Sequence, residues 1–353
     1  MKLFLNQRPI LEGNVTFPLM LAPMVGISHY PFRKIVADYM PEGMSALWPT
    51  EMLNSRRLPG QKLGQTPETI KGEHEQFLCP QILGNQEKYI APSVLKLEQW
   101  GAKAIDINMG CPVNKALKHN YGVALMGDID YAKEVVRMTV ANATVPVSVK
   151  LRAGHQRDEK FLVNFVQQMQ NAGASWITLH PRLASEMRKG KADWSQITLV
   201  RDNLDIPVIG NGDIQTLDDI FSMHEQTNCD GVMIGRALTA RPWLFWQYAK
   251  KVGLPAPLGK NHEQCPETPE QEAREYVQML INLLRELTSH FEMAYALRKF
   301  RFFVKTSCAW LNFGHSIYSG VHKNKTAIEI ESFLLKMKEN SSLKMAKTTS
   351  LHQ

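Results

Sequence analysis

The run I-D-I-N-M that begins at Ile105 ends on Gly110, Cys111 and Pro112. A thiol of ordinary pKa, near 8.5, is mostly protonated at neutral pH yet releases its proton readily, so a cysteine fixed at a strand tip can serve as an acid. Pro112 would stiffen the turn that aims it. Taken alone, a free cysteine is just as much a small filler of apolar space. Other chemistry-bearing residues also follow apolar runs: Lys150, His180, Asn211 and Arg236. A buried lysine can place positive charge beside the N1 side of a flavin and stabilise its reduced form, or it can be an ion-paired rim residue. The segments G-N-G-D-I (210–214) and I-G-R-A (234–237) carry small residues that let backbone N–H groups approach a phosphate. One polar strand end is ordinarily a cap or loop hydrogen bond; four in succession point to a phosphorylated cofactor. Gln81 and His180 could add hydrogen bonds to the ring edge and the phosphate side. No metal-ligand set emerges.

Eight apolar runs position these groups, at 18–22, 45–49, 77–82, 104–108, 145–150, 176–180, 206–210 and 231–235. Between them helical spacing recurs, at 86–99, 131–142, 160–171, 217–226 and 242–250. Buried strands alternating with helices predict a parallel sheet, and eight repeats predict a (β/α)8 barrel, with its chemistry at the carboxyl ends of the strands. The second unit is weakest, because 50–76 is polar and carries little helical pattern. A doubly wound open sheet is the alternative, disfavoured because no G-x-G-x-x-G follows the first run.

After Lys250 a proline- and glycine-rich stretch, 251–267, reads as a linker between a barrel domain (1–250) and a smaller all-helical domain (268–340). Helical periods cover 269–288, 291–311 and 326–338, with Thr268 and Pro269 suited to an N-cap and first turn. The tail, 341–353, is expected to be disordered. Residues 251–353 hold 14 lysines and arginines against 10 glutamates and no aspartate, so +4 of the chain's +7 lies there. Arg298, Lys299, Arg301 and Lys305 fall within two helical turns with Phe300, Phe302 and Phe303 interleaved. That pattern fits a polyanion-binding face or an amphipathic packing helix with solvated charges. Apolar content of 44% with 21% charge supports a full core. The start, M-K-L-F-L-N-Q-R, is not expected to act as a secretory leader, and no run approaches the roughly 18 apolar residues of a membrane span. Five cysteines with no C-x-x-C pair fit reduced thiols, hence a cytoplasmic protein.

The chain resembles the tRNA-dihydrouridine synthases, the bacterial branch in particular. The resemblance lies in L-A-P-M-V-G (21–26), P-F-R (31–33), Q-I-L-G (81–84) and D-I-N-M-G-C-P (106–112). It continues through V-S-V-K-L-R (147–152), G-K-A-D-W (190–194), P-V-I-G-N-G-D-I (207–214), V-M-I-G-R-A (232–237) and R-P-W-L-F (241–245). It implies FMN-dependent reduction of tRNA uridines to 5,6-dihydrouridine, with NADPH or NADH as reductant. Hydride would pass from the flavin to C6, and Cys111 would protonate C5. It implies a flavin site at Pro23, Met24, Val25, Gln81, Lys150, His180, Asn211, Gly212, Asp213, Gly235 and Arg236. It also implies substrate contacts from Asn108, Arg182 and the basic residues Arg298, Lys299, Arg301 and Lys305. tRNA is the implied partner, with no membrane and no stable protein partner.

Several positions depart from the family pattern: His29 where aspartate is usual, Pro181 and Leu183 after His180, and Arg188 where an aromatic is common. Gly122 is kept among larger neighbours. These changes fall on substrate-side loops. Two other functions share many of the features. A flavin barrel acting on a free small molecule would leave the basic helical segment unexplained, and a tRNA-binding protein with vestigial chemistry would leave the strand-end residues idle.

Overall fold

The computed structural model describes residues 8–348. Its strands are β1 (Leu19–Leu21), β2 (Leu47–Pro49), β3 (Leu53–Asn54), β4 (Phe77–Cys79), β5 (Gln81–Leu83), β6 (Ile105–Met109), β7 (Val147–Arg152), β8 (Ile177–His180), β9 (Val208–Asn211) and β10 (Gly231–Ile234). All pair in parallel, in the order β1-β10-β9-β8-β7-β6-β5-β3, with β2 on β4 as a separate pair. Hydrogen bonds from the N–H groups of Thr16 and Phe17 to the Ser45 carbonyl bring the β1 entry against the β2 entry and close the ring. The result is a (β/α)8 barrel.

Its second and third staves are each broken in two, where the sequence suggests single runs at 45–49 and 77–82. Pro80 sits at the second break, and with no N–H it cannot donate to the ladder, although its carbonyl still accepts from Asp106 N. Between β3 and β4 only a short 3-10 turn, Leu58–Gly60, forms, in keeping with the weak helical pattern of 50–76.

Side chains alternate across the wall as the two-residue strand period requires. Leu19, Leu21, Val208, Val232 and Ile234 point outward to the surrounding helices, while Met20, Ile209 and Met233 fill the barrel with Leu47, Cys79 and Trp176. On β6 and β7 the outward residues are again apolar (Ile105, Ile107, Met109, Val147, Val149, Leu151). The alternate positions carry Asp106, Asn108, Ser148, Lys150 and Arg152, so this sector of the interior is polar.

The helices are α1 (Tyr30–Ala37), α2 (Glu87–Gln99), α3 (Asn114–Leu117), α4 (Ile129–Ala141), α5 (Glu159–Asn171), α6 (Ser195–Asp202), α7 (Leu217–Thr227), α8 (Arg236–Ala240) and α9 (Leu244–Val252) around the barrel. They are followed by α10 (Pro269–His290), α11 (Met293–Ser307), α12 (Gly314–Lys323) and α13 (Ala327–Lys338). Helix α10 starts on the capping box of Thr268 and Gln271 with Pro269 in the first turn. Helix α12 has no counterpart in the sequence reading. Its H-S-I-Y-S-G-V-H stretch is poor in strong helix formers, and tertiary packing forms it, with Gly320 lying against the Phe333 ring where a Cβ could not fit.

The helical domain is joined to the barrel by one continuous core. Glu272 of α10 accepts from Arg241 Nε (3.2 Å), Trp243 Nε1 (3.0 Å) and Gln247 Nε2 (3.0 Å), three groups of the barrel side. Over 341–348 the tail, expected to be disordered, packs on the helical domain and the barrel. Leu343 and Met345 are buried, Met345 N donates to Pro269 O, and Lys347 pairs with Asp219 at 2.9 Å. Two buried apolar residues, backbone hydrogen bonds and the ion pairs of Lys344 and Lys347 hold it. Residues 349–353 lie outside the described residues.

Candidate active site

The carboxyl end of the barrel opens on two adjoining cavities. One, of about 470 Å³, is lined by Gln81, Asn108 and Cys111. The other, of about 420 Å³, is lined by Met24, Asn211, Gly212, Asp213, Gly235 and Arg236. Pro23, Val25, Lys150, Arg152 and His180 border both, so the two form one cleft.

The floor is a row of paired side chains on β5, β6 and β7. Gln81, Asp106 and Ser148 lie side by side in register, and Asn108 sits opposite Lys150. Ser148 Oγ donates to Asp106 Oδ1 at 2.7 Å, and Gln81 Nε2 donates to Asp106 Oδ2 at 2.6 Å. Asn108 Nδ2 in turn donates to Gln81 Oε1 at 2.7 Å. The Asn108 Oδ1 then accepts from the N–H groups of Gly110 (3.1 Å) and Cys111 (2.9 Å), which fixes the loop carrying the thiol. Gly122 presses on that loop from behind at φ +61, and a Cβ there would collide with the Cys111 carbonyl. That close approach explains the glycine kept at 122.

Lys150 is half-buried and borders both cavities. Its Nζ donates to Asn211 Oδ1 at 3.1 Å, and Asn211 Nδ2 donates to Met233 O at 2.7 Å. Burial lowers the Lys150 ammonium to about 8, with the Asp106 carboxylate pulling the other way. Burial likewise raises the Asp106 carboxyl above its ordinary range, opposed by the bonds from Gln81 and Ser148. His180 is held far below its usual value by burial and then by Lys150, Arg152, Arg182 and Arg236, so its ring is neutral. Arg182 Nη1 lies 3.0 Å from His180 Nε2, and since a guanidinium only donates, the His180 proton sits on Nδ1.

Five cationic side chains, Lys150, Arg152, Arg182, Arg188 and Arg236, face the second cavity, and Asp213 is the one carboxylate among its lining residues. That carboxylate turns inward: Oδ1 accepts from Arg182 Nη2 and Oδ2 from Ala192 N, both at 2.6 Å. The contribution of Asp213 to the cavity is therefore a left-handed backbone (φ 61), beside Gly212 at φ +123. Arg182 is itself buried, tied also to the carbonyls of Lys189 and Gly190. Arg182, expected as a substrate contact, is thus held within the loop after β8 at the edge of the cavity. Arg152, missed as a site residue in the sequence, donates to the carbonyls of Gly110, Leu183 and Met187 and so ties the thiol loop to the same loop after β8.

The four basic residues of α11 separate. Arg298 and Lys305 are exposed. Lys299 leans over the β1 loop, its Nζ 3.4 Å from Gly26 O, while Gly26 N donates to the buried Glu51 at 2.6 Å. Arg301 instead donates to Asn324 O at 3.0 Å, inside the helical domain and away from the cleft. Phe300 and Phe303 are core, whereas Phe302, 47% exposed, lines the second cavity together with Thr306. Thus α11 forms part of the wall of the cleft. Of the departing positions, Arg188 lines the mouth and Pro181 is buried, and His29 is buried at the start of α1. Burial, then Lys299 and Arg33, lowers the His29 imidazole to about 3. No cluster able to hold a metal ion occurs among the described residues, and none of their helices is long and apolar enough to cross a membrane.

Asp106 and Ser148 left a signal in the sequence, the alternation of polar with apolar residues in D-I-N and S-V-K, but nothing local tells a ligand-facing polar residue from a supporting one.

Comparison with known proteins gives a consistent result. The family model described as dihydrouridine synthase matches residues 20–338. The chain is 34% identical over 240 residues to a probable tRNA-dihydrouridine synthase 1 of Synechocystis, an alignment covering 67% of this chain and 66% of that protein. It is 33% identical to tRNA-dihydrouridine synthase B of Pasteurella multocida, covering 64% of this chain and 67% of the relative. With a probable tRNA-dihydrouridine synthase of Rhizobium leguminosarum the identity is 32%, over 64% and 69% of the two chains. The chain thus spans about two thirds of the length of these relatives.

Proposed function

The chain belongs to the dihydrouridine synthase family, and from that premise we propose that it reduces uridines of tRNA to 5,6-dihydrouridine with FMN as cofactor and NADPH or NADH as reductant. The observation that carries this reading is the placement of the Cys111 thiol and the Lys150 ammonium on the same cavity. One group can give a proton and the other can stabilise negative charge. The donor set also suits a flavin mononucleotide: beyond the Arg182–Asp213 ion pair, four cations and no other carboxylate line the cavity.

When bound, the flavin supplies the hydride that goes to C6 of uracil. Lys150, held by Asn211, is the group for the N1 side of its ring; Gln81 and neutral His180 offer hydrogen bonds at its edges. Gly212, Gly235 and Arg236 are the residues for the phosphate, where small side chains and the first turn of α8 allow close approach. Cys111 gives its proton to C5, and with the hydride this completes the two-electron saturation of the C5–C6 double bond. Asn108 keeps the thiol aimed while bordering the space where the base would sit.

A uracil in folded tRNA must leave its stack to enter such a cleft. Arg298, Lys299 and Lys305 on α11, beside the mouth, supply the cationic surface that would hold the RNA backbone, with Phe302 at the rim. The reduced cysteines fit work in the cytoplasm. Two measurements test the reading. Purified protein should be yellow with non-covalent FMN, and colourless protein that takes up none would overturn it. Mass spectrometry of tRNA from cells lacking the gene should show uridine at positions that carry dihydrouridine in the parent. Unchanged tRNA with turnover of a free pyrimidine or enone would make it a small-molecule reductase.

A further inference from the structure

Asp106 is a buried carboxylate to which the proposed chemistry gives no part. It lies under the cleft rather than in it, and its two oxygens accept from Ser148 Oγ and Gln81 Nε2. An ionised carboxylate can only accept. That fixes the direction of everything above it. Gln81 must present its amino group to Asp106 and so its carbonyl to Asn108; Asn108 must present its amino group to Gln81 and so its carbonyl to the loop. Only in that orientation can Asn108 Oδ1 accept from the N–H groups of Gly110 and Cys111. Reversing Asn108 would set donor against donor at the loop, and reversing Gln81 would set oxygen against oxygen at Asp106 and amino group against amino group at Asn108.

We propose that Asp106 is a positioning residue for Cys111, setting through the amides of Gln81 and Asn108 the orientation that holds the backbone of the thiol loop. The proposal deepens the reading of Cys111 as the acid and rests on it for its consequence in turnover, though the geometry stands without it.

Two variants separate orientation from charge. Asp106→Asn and Asp106→Leu both remove the negative charge that faces Lys150, so any effect through the lysine is common to them. In D106N the carboxamide oxygen still accepts from Gln81, and its amino group meets the Ser148 hydroxyl, which turns to accept. In D106L nothing accepts from Gln81 Nε2, so the Gln81 amide loses the bond that holds it in place and Asn108 loses a fixed acceptor. The first readout is the rate of Cys111 alkylation by iodoacetamide at fixed pH, followed by peptide mass spectrometry with half-buried Cys308 as internal reference. The second is kcat and KM for dihydrouridine formation on tRNA. D106N should stay within about twofold of wild type in alkylation, whereas D106L should react about tenfold faster. Its kcat should be at least about tenfold below that of D106N, with KM for tRNA changed by less than about twofold, because a small misplacement of the acid is costly. Equal behaviour of the two variants, or wild-type alkylation in D106L, overturns the proposal. Should D106L fail to fold, Gln81→Met breaks the next link with little change of shape. It should accelerate alkylation likewise, and a wild-type rate there overturns the proposal too. A wild-type protein that forms no dihydrouridine defeats the functional reading instead and leaves the alkylation comparison intact.

Discussion

The floor of the cleft and the outer face of α11 both carry polar side chains, yet they are built oppositely. On the floor Gln81, Asp106, Asn108 and Ser148 bond to one another within 2.6–2.7 Å, and beside them Lys150 of β7 bonds Asn211 of β9 at 3.1 Å. On α11, Arg298 and Lys305 are exposed, Arg298 and Lys299 lie over the Tyr295 ring, and Lys299 makes only a long hydrogen bond to Gly26 O at 3.4 Å. Transferring a proton requires a donor held in place, which hydrogen bonds in a water-poor interior provide. Holding a flexible polyanion requires charge that can follow phosphates, and side chains tied down internally could not. The two regions therefore divide chemistry from grip, and substitutions should sort accordingly.

The largest effect is expected at the thiol. Cys111→Ala should lower dihydrouridine formation by about 10²-fold or more while the protein still binds FMN and oxidises NADPH, because only the protonation step uses the sulfur. Paired assays of NADPH consumption without tRNA and of dihydrouridine by mass spectrometry check this. Equal losses in both would place Cys111 in the flavin half-reaction.

Next comes the support behind it. Gly122→Ala puts a Cβ against the Cys111 carbonyl at a φ of +61 that costs a non-glycine residue about 1–2 kcal/mol. The Tm should drop and turnover should fall more than FMN affinity does. A variant with normal turnover would show that the loop has slack.

On the grip side, neutralising Arg298 and Lys305 together should weaken tRNA binding and flatten its salt dependence by up to about 0.9 per lost phosphate contact, the duplex value. Arg301→Gln should leave the slope alone and lower thermal stability slightly, since its guanidinium serves the Asn324 carbonyl. Titrations of tRNA affinity across salt concentrations on the three proteins distinguish these; parallel lines throughout would move the RNA to another surface.

A smaller effect is a matter of pH. With Lys150 lowered to about 8, its charge is present below that value and lost above it, so FMN affinity should decline as pH rises through about 8. Lys150→Met should remove that dependence. The smallest concerns His29, whose folded value of about 3 lies below its ordinary 6.5. Between those values the unfolded chain binds more protons, so stability is intact above about 6.5 and lost as pH falls toward 3. His29→Phe should flatten the acid side of a Tm-versus-pH curve, and an unchanged curve would assign the acid sensitivity to other groups.

Much of this arrangement was legible in the chain. The eight apolar runs already imply the barrel and hence the end at which Lys150, His180, Asn211 and Arg236 meet, because strand ends in a parallel barrel converge whatever the loops do. The G-C-P turn marks Cys111, and Thr268 with Pro269 marks the start of α10 to the residue. These are local properties, set by a period or by the backbone limits of one residue.

What the tertiary structure alone decided concerns which partner each polar group finds. Arg152, Arg182 and Arg188 are equivalent as letters, yet the first is buried against carbonyls of other loops, the second against carbonyls of its own loop, and the third is exposed at the mouth. Arg298 and Arg301, three residues apart, face solvent and the Asn324 carbonyl respectively. The tail, polar enough to read as disordered, is docked over 341–348 by Leu343 and Met345, and α12 forms where its own propensity is low. Burial and hydrogen bonding of a side chain depend on atoms contributed from far along the chain, as Gly110, Leu183 and Met187 supply the acceptors for Arg152. Periodicity fixes which side of a strand a residue faces, and only the packed neighbours fix whether it supports the site or touches what binds there.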